Sequence, residues 1–254
     1  MGAVLEVRGL AKSFGGIVAL RDVALQAEDK EVLAVIGPNG SGKTTLLKIL
    51  AGKLEPDAGQ VTKKKNLRIG YLRQHAEFTT DRTLWAVCMA VFDDVVALGQ
   101  TVRELAQQVA DLAEGDQAYG QTLASYQRAM DAYEEADGYS IESRIKGVLT
   151  GLGFVREQYD RKVSTFSGGQ KARVLLAQLL LKQPEVLLMD EPTNHLDLSA
   201  VAWLEGFLKE YPGTLLVISH DRYFLDAVTT RTAFLDERIE TYEGNYTVFM
   251  EKRR

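Results

Sequence analysis

Nine consecutive residues constrain this chain more than any others: Gly37-Pro38-Asn39-Gly40-Ser41-Gly42-Lys43-Thr44-Thr45, a match to G-x-x-x-x-G-K-[ST]. An apolar run, Leu33–Ile36, precedes the stretch, and Leu46, Leu47, Ile49 and Leu50 follow it at helical spacing. The order is therefore strand, glycine-rich loop, helix. Glycines let the backbone fold so tightly that successive N–H groups point into one concavity, and the helix that begins there adds the positive end of its dipole. Such a loop holds phosphate groups. Lys43 is positioned to reach the β- and γ-phosphates of a nucleotide, and the Thr44 hydroxyl to ligate Mg²⁺.

A second element complements the first. Val186-Leu187-Leu188-Met189 is a continuous apolar run, as in a parallel strand covered on both faces, and it ends in Asp190-Glu191. Ligands of open α/β sheets bind at the carboxyl ends of the strands. Asp190 is placed to orient the water shell of the metal, and Glu191, one residue further, to hold and polarise an attacking water.

The rest of the chain alternates in the same way. Strands are expected at Leu5–Arg8, Val23–Ala27, Val32–Ile36, Gly59–Thr62, Leu67–Leu72, Thr214–Ile218 and Arg231–Asp236, and helices at Gly168–Lys182 and Ser199–Glu210. From about Thr83 to Leu152 strand signals vanish. Val102, Leu105, Val109 and Leu112, then Leu123, Tyr126, Met130 and Tyr133, recur at helical spacing around a break at Glu114-Gly115-Asp116. Two amphipathic helices joined by a turn account for this. Residues 101–137 hold two arginines against eight acids, a net of −6 out of the whole chain's −5. That makes the hairpin a poor grip for a phosphate backbone.

The length, 254 residues, allows one large α/β domain carrying an insertion. We read residues 1–80 and 153–254 as a nucleotide-binding α/β core with a β subdomain, and 81–152 as a helical subdomain containing the acidic hairpin 101–137. The negative net charge excludes a global basic field for nucleic acid or anionic lipid. The local basic clusters Lys63-Lys64-Lys65 with Arg68, and Lys252-Arg253-Arg254, read as solvated surface. The single cysteine, Cys88, sits among Trp85, Val87, Met89 and Val91 and reads as a packed thiol. No apolar run approaches the roughly 18 residues of a membrane span, and the amino terminus lacks a signal peptide. The expected setting is cytoplasmic, with no membrane contact by this chain.

Ser167-Gly168-Gly169-Gln170 adds a further anion nest at a helix start. With it, the chain resembles the ATP-binding cassette superfamily over nearly its whole length. The resemblance implies a P-loop cassette fold, with a mostly parallel core sheet, an N-terminal antiparallel β subdomain and an inserted helical subdomain. It implies MgATP as substrate and metal. It also implies that the nest formed by Ser167, Gly168, Gly169 and Gln170 binds the γ-phosphate held by a second cassette. Phe166 stands where leucine is more usual. By the same resemblance Phe14 stacks on adenine, Gln74 senses Mg²⁺ and the attacking water, His220 contacts the γ-phosphate, and Asn194-His195-Leu196-Asp197 crosses to the partner cassette. One loop and one nest make half of a paired site, so an isolated copy should hydrolyse ATP slowly.

Within the superfamily, Glu191-Pro192-Thr193-Asn194-His195-Leu196-Asp197, His220-Asp221-Arg222-Tyr223-Phe224-Leu225-Asp226 and Tyr242-Glu243-Gly244-Asn245-Tyr246 look like the ABC-F subfamily of soluble tandem-cassette ATPases that act on ribosomes. That implies the first cassette of a longer protein, with a helical linker and second cassette beyond, and the ribosome and tRNA as partners. Branched DNA is a further partner class among such proteins. The competing readings are the nucleotide-binding subunit of a membrane transporter and a DNA-repair ATPase.

Overall fold

The computed structural model describes residues 2–73, 79–113, 117–236 and 238–253. They form two compact units. The first comprises Met1–Thr79, Gly151–Gly153 and Phe166–Arg254, and the second Thr80–Thr150 and Phe154–Thr165.

In the first unit a three-stranded antiparallel sheet sets β1 (Ala3–Phe14) between β2 (Ile17–Glu28) and β4 (Ala58–Lys63). Gly15 and Gly16 join β1 to β2 with φ of +52° and +89°. Positive φ at both central residues is the two-residue hairpin turn that matches strand twist, and it leaves Phe14 opposite Ile17 at the tip. Both strands run further than the expected Leu5–Arg8 and Val23–Ala27. The ladder continues through polar Lys12 and Ser13, since strand pairing satisfies the backbone whether or not the side chains are buried.

The second sheet of this unit, among the described residues, has six strands. Their order is β5 (Ile69–Leu72), β6 (Val186–Asp190), β7 (Thr214–Ile218), β3 (Val32–Ile36), β8 (Arg231–Asp236) and β9 (Arg238–Glu243). All neighbours are parallel except β8 and β9. Strands β3, β6 and β7 are buried at every residue, which is why they read as unbroken apolar runs. Against β6 and β2 packs α1 (Lys43–Leu50), burying Leu46, Leu47, Ile49 and Leu50. Each such side chain contributes roughly 1.5–3 kcal/mol before chain entropy is counted. The helices α6 (Gly168–Lys182), α7 (Leu198–Lys209), α8 (Arg222–Val228) and α9 (Tyr246–Lys252) complete the unit. Strands β3, β6 and β7 end together, so their exit loops gather at one edge.

The second unit contains α2 (Leu84–Met89), α3 (Asp93–Asp111), α4 (Gln117–Glu135) and α5 (Ile141–Gly151). Helices α3 and α4 form the expected hairpin, although α3 begins well before residue 101. The Tyr133 ring packs where a Cβ on Gly99 would stand, 2.8 Å from that position. The break at 114–116 lies outside the described residues. Residues 154–165 group with this unit rather than with the core, and 151–153 do the reverse, so the boundary differs from the one expected at 152. The reason is hydrogen bonding: Leu84 N–H donates to Arg161 O, Trp85 N–H to Tyr159 O, and Val163 N–H to Arg82 O. Cys88 is fully buried, and burial pushes its thiol pKa up to about 12.

The helical run Leu84–Asp111 is long and apolar enough, by length and composition, to cross a membrane. A search for an uninterrupted apolar stretch passes over it because Asp93 and Asp94 and a tight turn at Ala90–Phe92 fall inside.

Candidate active site

The loop between β3 and α1 takes the conformation its glycines require. Gly40 and Gly42 have φ of +83° and +90°. A Cβ on Gly42 would lie 2.2 Å from Ala19 O, whereas one on Gly40 would meet nothing within 4 Å. Gly42 caps α1 with no side-chain acceptor, so the first-turn N–H groups of the helix face outward without a cap. The Ser41 hydroxyl is buried and has no hydrogen-bond partner among the described residues. Lys43 is buried, and its Nζ donates to Gly37 O and Pro38 O, both at 2.8 Å. Burial lowers its pKa, and the charges of Glu191 and Asp190 oppose that shift.

Strand β6 delivers Asp190, buried to 2% exposure, at the same edge. Glu191 follows at φ +56°, a left-handed backbone that L-residues avoid. Two backbone contacts hold it there. Its N–H donates to Ile218 O at 2.8 Å, and its Oε2 accepts from the His220 N–H at 3.2 Å. The other oxygen, Oε1, lies 3.6 Å from His220 Nε2 and accepts no hydrogen bond among the described residues. Burial raises the Glu191 pKa, the His220 N–H and ring oppose this, and the neighbouring Asp190 charge adds to it.

A cleft of about 280 Å³ brings these groups together. Phe14, Asn39, Gly40, Ser41, Gly42, Lys43, Thr44, Thr45, Asp190, Glu191 and His220 all line it. Gly37 and Pro38 take part through the carbonyls that receive Lys43. Phe14 is half exposed, with Lys12 Nζ 5.7 Å from its ring centre. Two further lining residues, Ala19 and Ile218, escaped the sequence reading, which looks for chemistry rather than for backbone walls. Gln74 lies outside the described residues.

The Ser167–Gln170 nest belongs to the same unit but not to the lining of this cleft. Ser167 caps α6: its Oγ accepts from Gln170 N–H at 3.2 Å, and Gln170 Oε1 accepts from Ser167 N–H at 3.0 Å. This reciprocal pair is a capping box. It occupies the Gln170 side chain within the chain's own helix. Ser167 and Gly168 are exposed, and Gly169 packs beside His195.

The donor set suits a magnesium-bound polyphosphate. Uncapped N–H groups and a buried, unpartnered hydroxyl face a lysine, and a threonine and a buried carboxylate supply the hard oxygen ligands that Mg²⁺ takes. The family model for the ABC transporter matches residues 20–194, which span the phosphate loop, the nest, Asp190 and Glu191. This chain belongs to the ABC transporter family. Among ABC relatives, ABC transporter F family member 2 of Arabidopsis thaliana is 35% identical over 248 residues, covering 97% of this chain and 37% of the relative. Energy-dependent translational throttle protein EttA of Mycobacterium tuberculosis is 33% identical over 252 residues, covering 98% of this chain and 44% of the relative. The chain thus spans less than half the length of these F-subfamily relatives. A dimeric ATP-binding cassette solved with ADP and phosphate bound superposes with TM-score 0.62 at 20% identity, covering 94% of this chain and 98% of the other. That likeness establishes the cassette fold.

Proposed function

We propose that this cassette binds MgATP in the cleft between the 37–45 loop and β6, and hydrolyses it when a second cassette closes the site. The supporting observation is the separation of the two anion-binding halves. The loop, the acids and His220 share one cleft, while the nest, with Ser167 and Gly168 exposed, lies outside that cleft's lining on the same unit. A nest that does not reach its own cleft is free to meet a γ-phosphate held by a partner. The relative solved as a dimer with ADP and phosphate supports this reading.

In this mechanism the loop N–H groups and Lys43 would hold the β- and γ-phosphates, Phe14 would stack on the base, and Thr44 and Asp190 would hold the magnesium; Gln74, given a metal-sensing role by the family resemblance, lies outside the described residues. When bound, the metal neutralises charge on the phosphates. Glu191 orients a water in line with the γ-phosphorus through its open Oε1 and accepts the proton the water loses, as the bond to the β-phosphate oxygen breaks and ADP departs. Its raised proton affinity suits that role. His220 fixes Glu191 through its N–H and turns its exposed ring toward the γ-phosphate. Catalysis here is positioning plus electrostatics.

We further propose that the cassette works in the cytoplasm on the ribosome in translation, as one half of a tandem pair. The F-subfamily relatives, one of them named as a translational throttle, support this. The decisive experiment is Glu191→Gln in the protein with its second cassette. The amide keeps the acceptor for His220 N–H but cannot take a proton. Hydrolysis should fall by about two orders of magnitude or more, ATP should stay bound, and the locked form should co-sediment with ribosomes. Attachment to a membrane partner instead would favour the transporter reading. Brisk turnover by an isolated copy, indifferent to Ser167, would defeat the paired mechanism.

A further inference from the structure

Behind the phosphate loop lies a second cavity of about 440 Å³, again wholly within the first unit. It shares a wall with the nucleotide cleft, since Lys43 and His220 border both. Beyond that wall it is lined by Arg222 from the start of α8, by Phe234 of β8, and by Tyr246, Phe249, Met250 and Arg253 from α9 and its end. Its charged lining is entirely cationic: Lys43, Arg222 and Arg253, with no carboxylate among the described lining residues. This runs against the net charge of the chain.

Neither arginine side chain has a hydrogen bond or ion pair among the described residues. The Arg253 guanidinium lies 3.5 Å from the centre of the Phe234 ring and 5.8 Å from that of Phe249, and the Arg222 guanidinium 5.8 Å from that of Tyr246. Both residues are exposed, and the rings hold the two forks in place while their N–H donors meet only solvent. Like charges gathered around an empty space repel one another, and an anion entering that space relieves the repulsion while accepting the free donors.

We infer that this cavity is a binding site for a phosphate-class oxyanion, and that its natural occupant is the orthophosphate released by hydrolysis in the adjoining cleft. The inference rests on the nucleotide reading proposed above. ADP still fills the phosphate loop after the γ-phosphate is cut, and in a paired site the partner covers the outer face. A cationic space on the far side of Lys43 and His220 gives the product somewhere to go without displacing either.

The test uses the chain saturated with MgADP and inorganic phosphate as the probe. Calorimetry first reports MgADP affinity alone, and phosphorus NMR line broadening then reports phosphate binding to the MgADP complex. The double variant Arg222→Ala/Arg253→Ala should keep MgADP affinity near the parent value while phosphate binding weakens about ten-fold or more, the scale of a lost charge-assisted contact. The pair Arg222→Lys/Arg253→Lys keeps both charges but not the forks, and should fall between. Unchanged phosphate binding in the alanine variant would place the ion in the nucleotide cleft and overturn the inference, as would no phosphate binding by the parent complex. Failure of the parent to bind MgADP would show in the first titration and defeat the nucleotide reading itself.

Discussion

Glu191 sits on a backbone conformation that costs an L-residue of order 1–3 kcal/mol. The Ile218 carbonyl and the His220 N–H over-determine it, and together they aim Oε1 into the cleft. Its pKa is raised chiefly by burial, so the folded chain holds a proton there that the unfolded chain would release. Folding stability therefore declines as pH rises from the ordinary carboxylate range through the shifted pKa. Urea unfolding of parent and Glu191→Gln at pH 5 and pH 7.5 should show less loss of stability in the variant over that rise. Activity moves the opposite way, because the base must be ionised. The acid limb of kcat in the paired enzyme should lie above the usual carboxylate range, which a pH–rate profile would show. At this scale the sequence was informative where residue type carries chemistry: Lys43, Thr44, Asp190, Glu191 and His220 all line one cleft. The hold of a backbone N–H on Glu191 was not legible, because it depends on where β7 ends beside β6, and any residue type supplies an N–H.

Elements join this edge to the rest of the unit through their caps. Ser167→Ala removes the hydroxyl that accepts Gln170 N–H at 3.2 Å, and should lower stability by about 1 kcal/mol, the ordinary value of an N-cap. It should leave ATP binding by the isolated chain unchanged and suppress hydrolysis by the paired form, a split that equilibrium binding and turnover measured side by side would reveal. At the other end of α8, Asp226 accepts both the N–H and the hydroxyl of Thr247 in the first turn of α9. Asp226→Ala should loosen that helix, costing about 1–3 kcal/mol for a charged acceptor, with amide exchange rising first in residues 246–252. The buried strands β3, β6 and β7 were legible because burial on both faces leaves apolar residues everywhere but at Asp190 and Thr214, at strand ends. Strand β9 was not. Its sequence, RIETYE, is mostly exposed and held by pairing with β8, so hydrophobic patterning has little to report. The full lengths of β1 and β2 escaped for the same reason.

For the whole molecule, a ligand that binds only the folded form must raise its stability. MgATP at about a hundred times its dissociation constant should add about 2.7 kcal/mol, seen as a higher melting temperature in calorimetry, and Lys43→Ala should abolish the increase. The two-unit organisation was legible as a change of periodicity near residue 83. The affiliation of residues 151–165 was not, because it is decided by hydrogen bonds between segments far apart in the chain. Lys43 carries a consequence for how the molecule cycles. Its ammonium rests on two carbonyls of its own loop. An arriving phosphate exchanges those contacts instead of adding to them, so the net grip is weaker than a tally of contacts suggests. The same two oxygens brace the loop from within, tying the lysine to the backbone that has to keep its curve around a ligand.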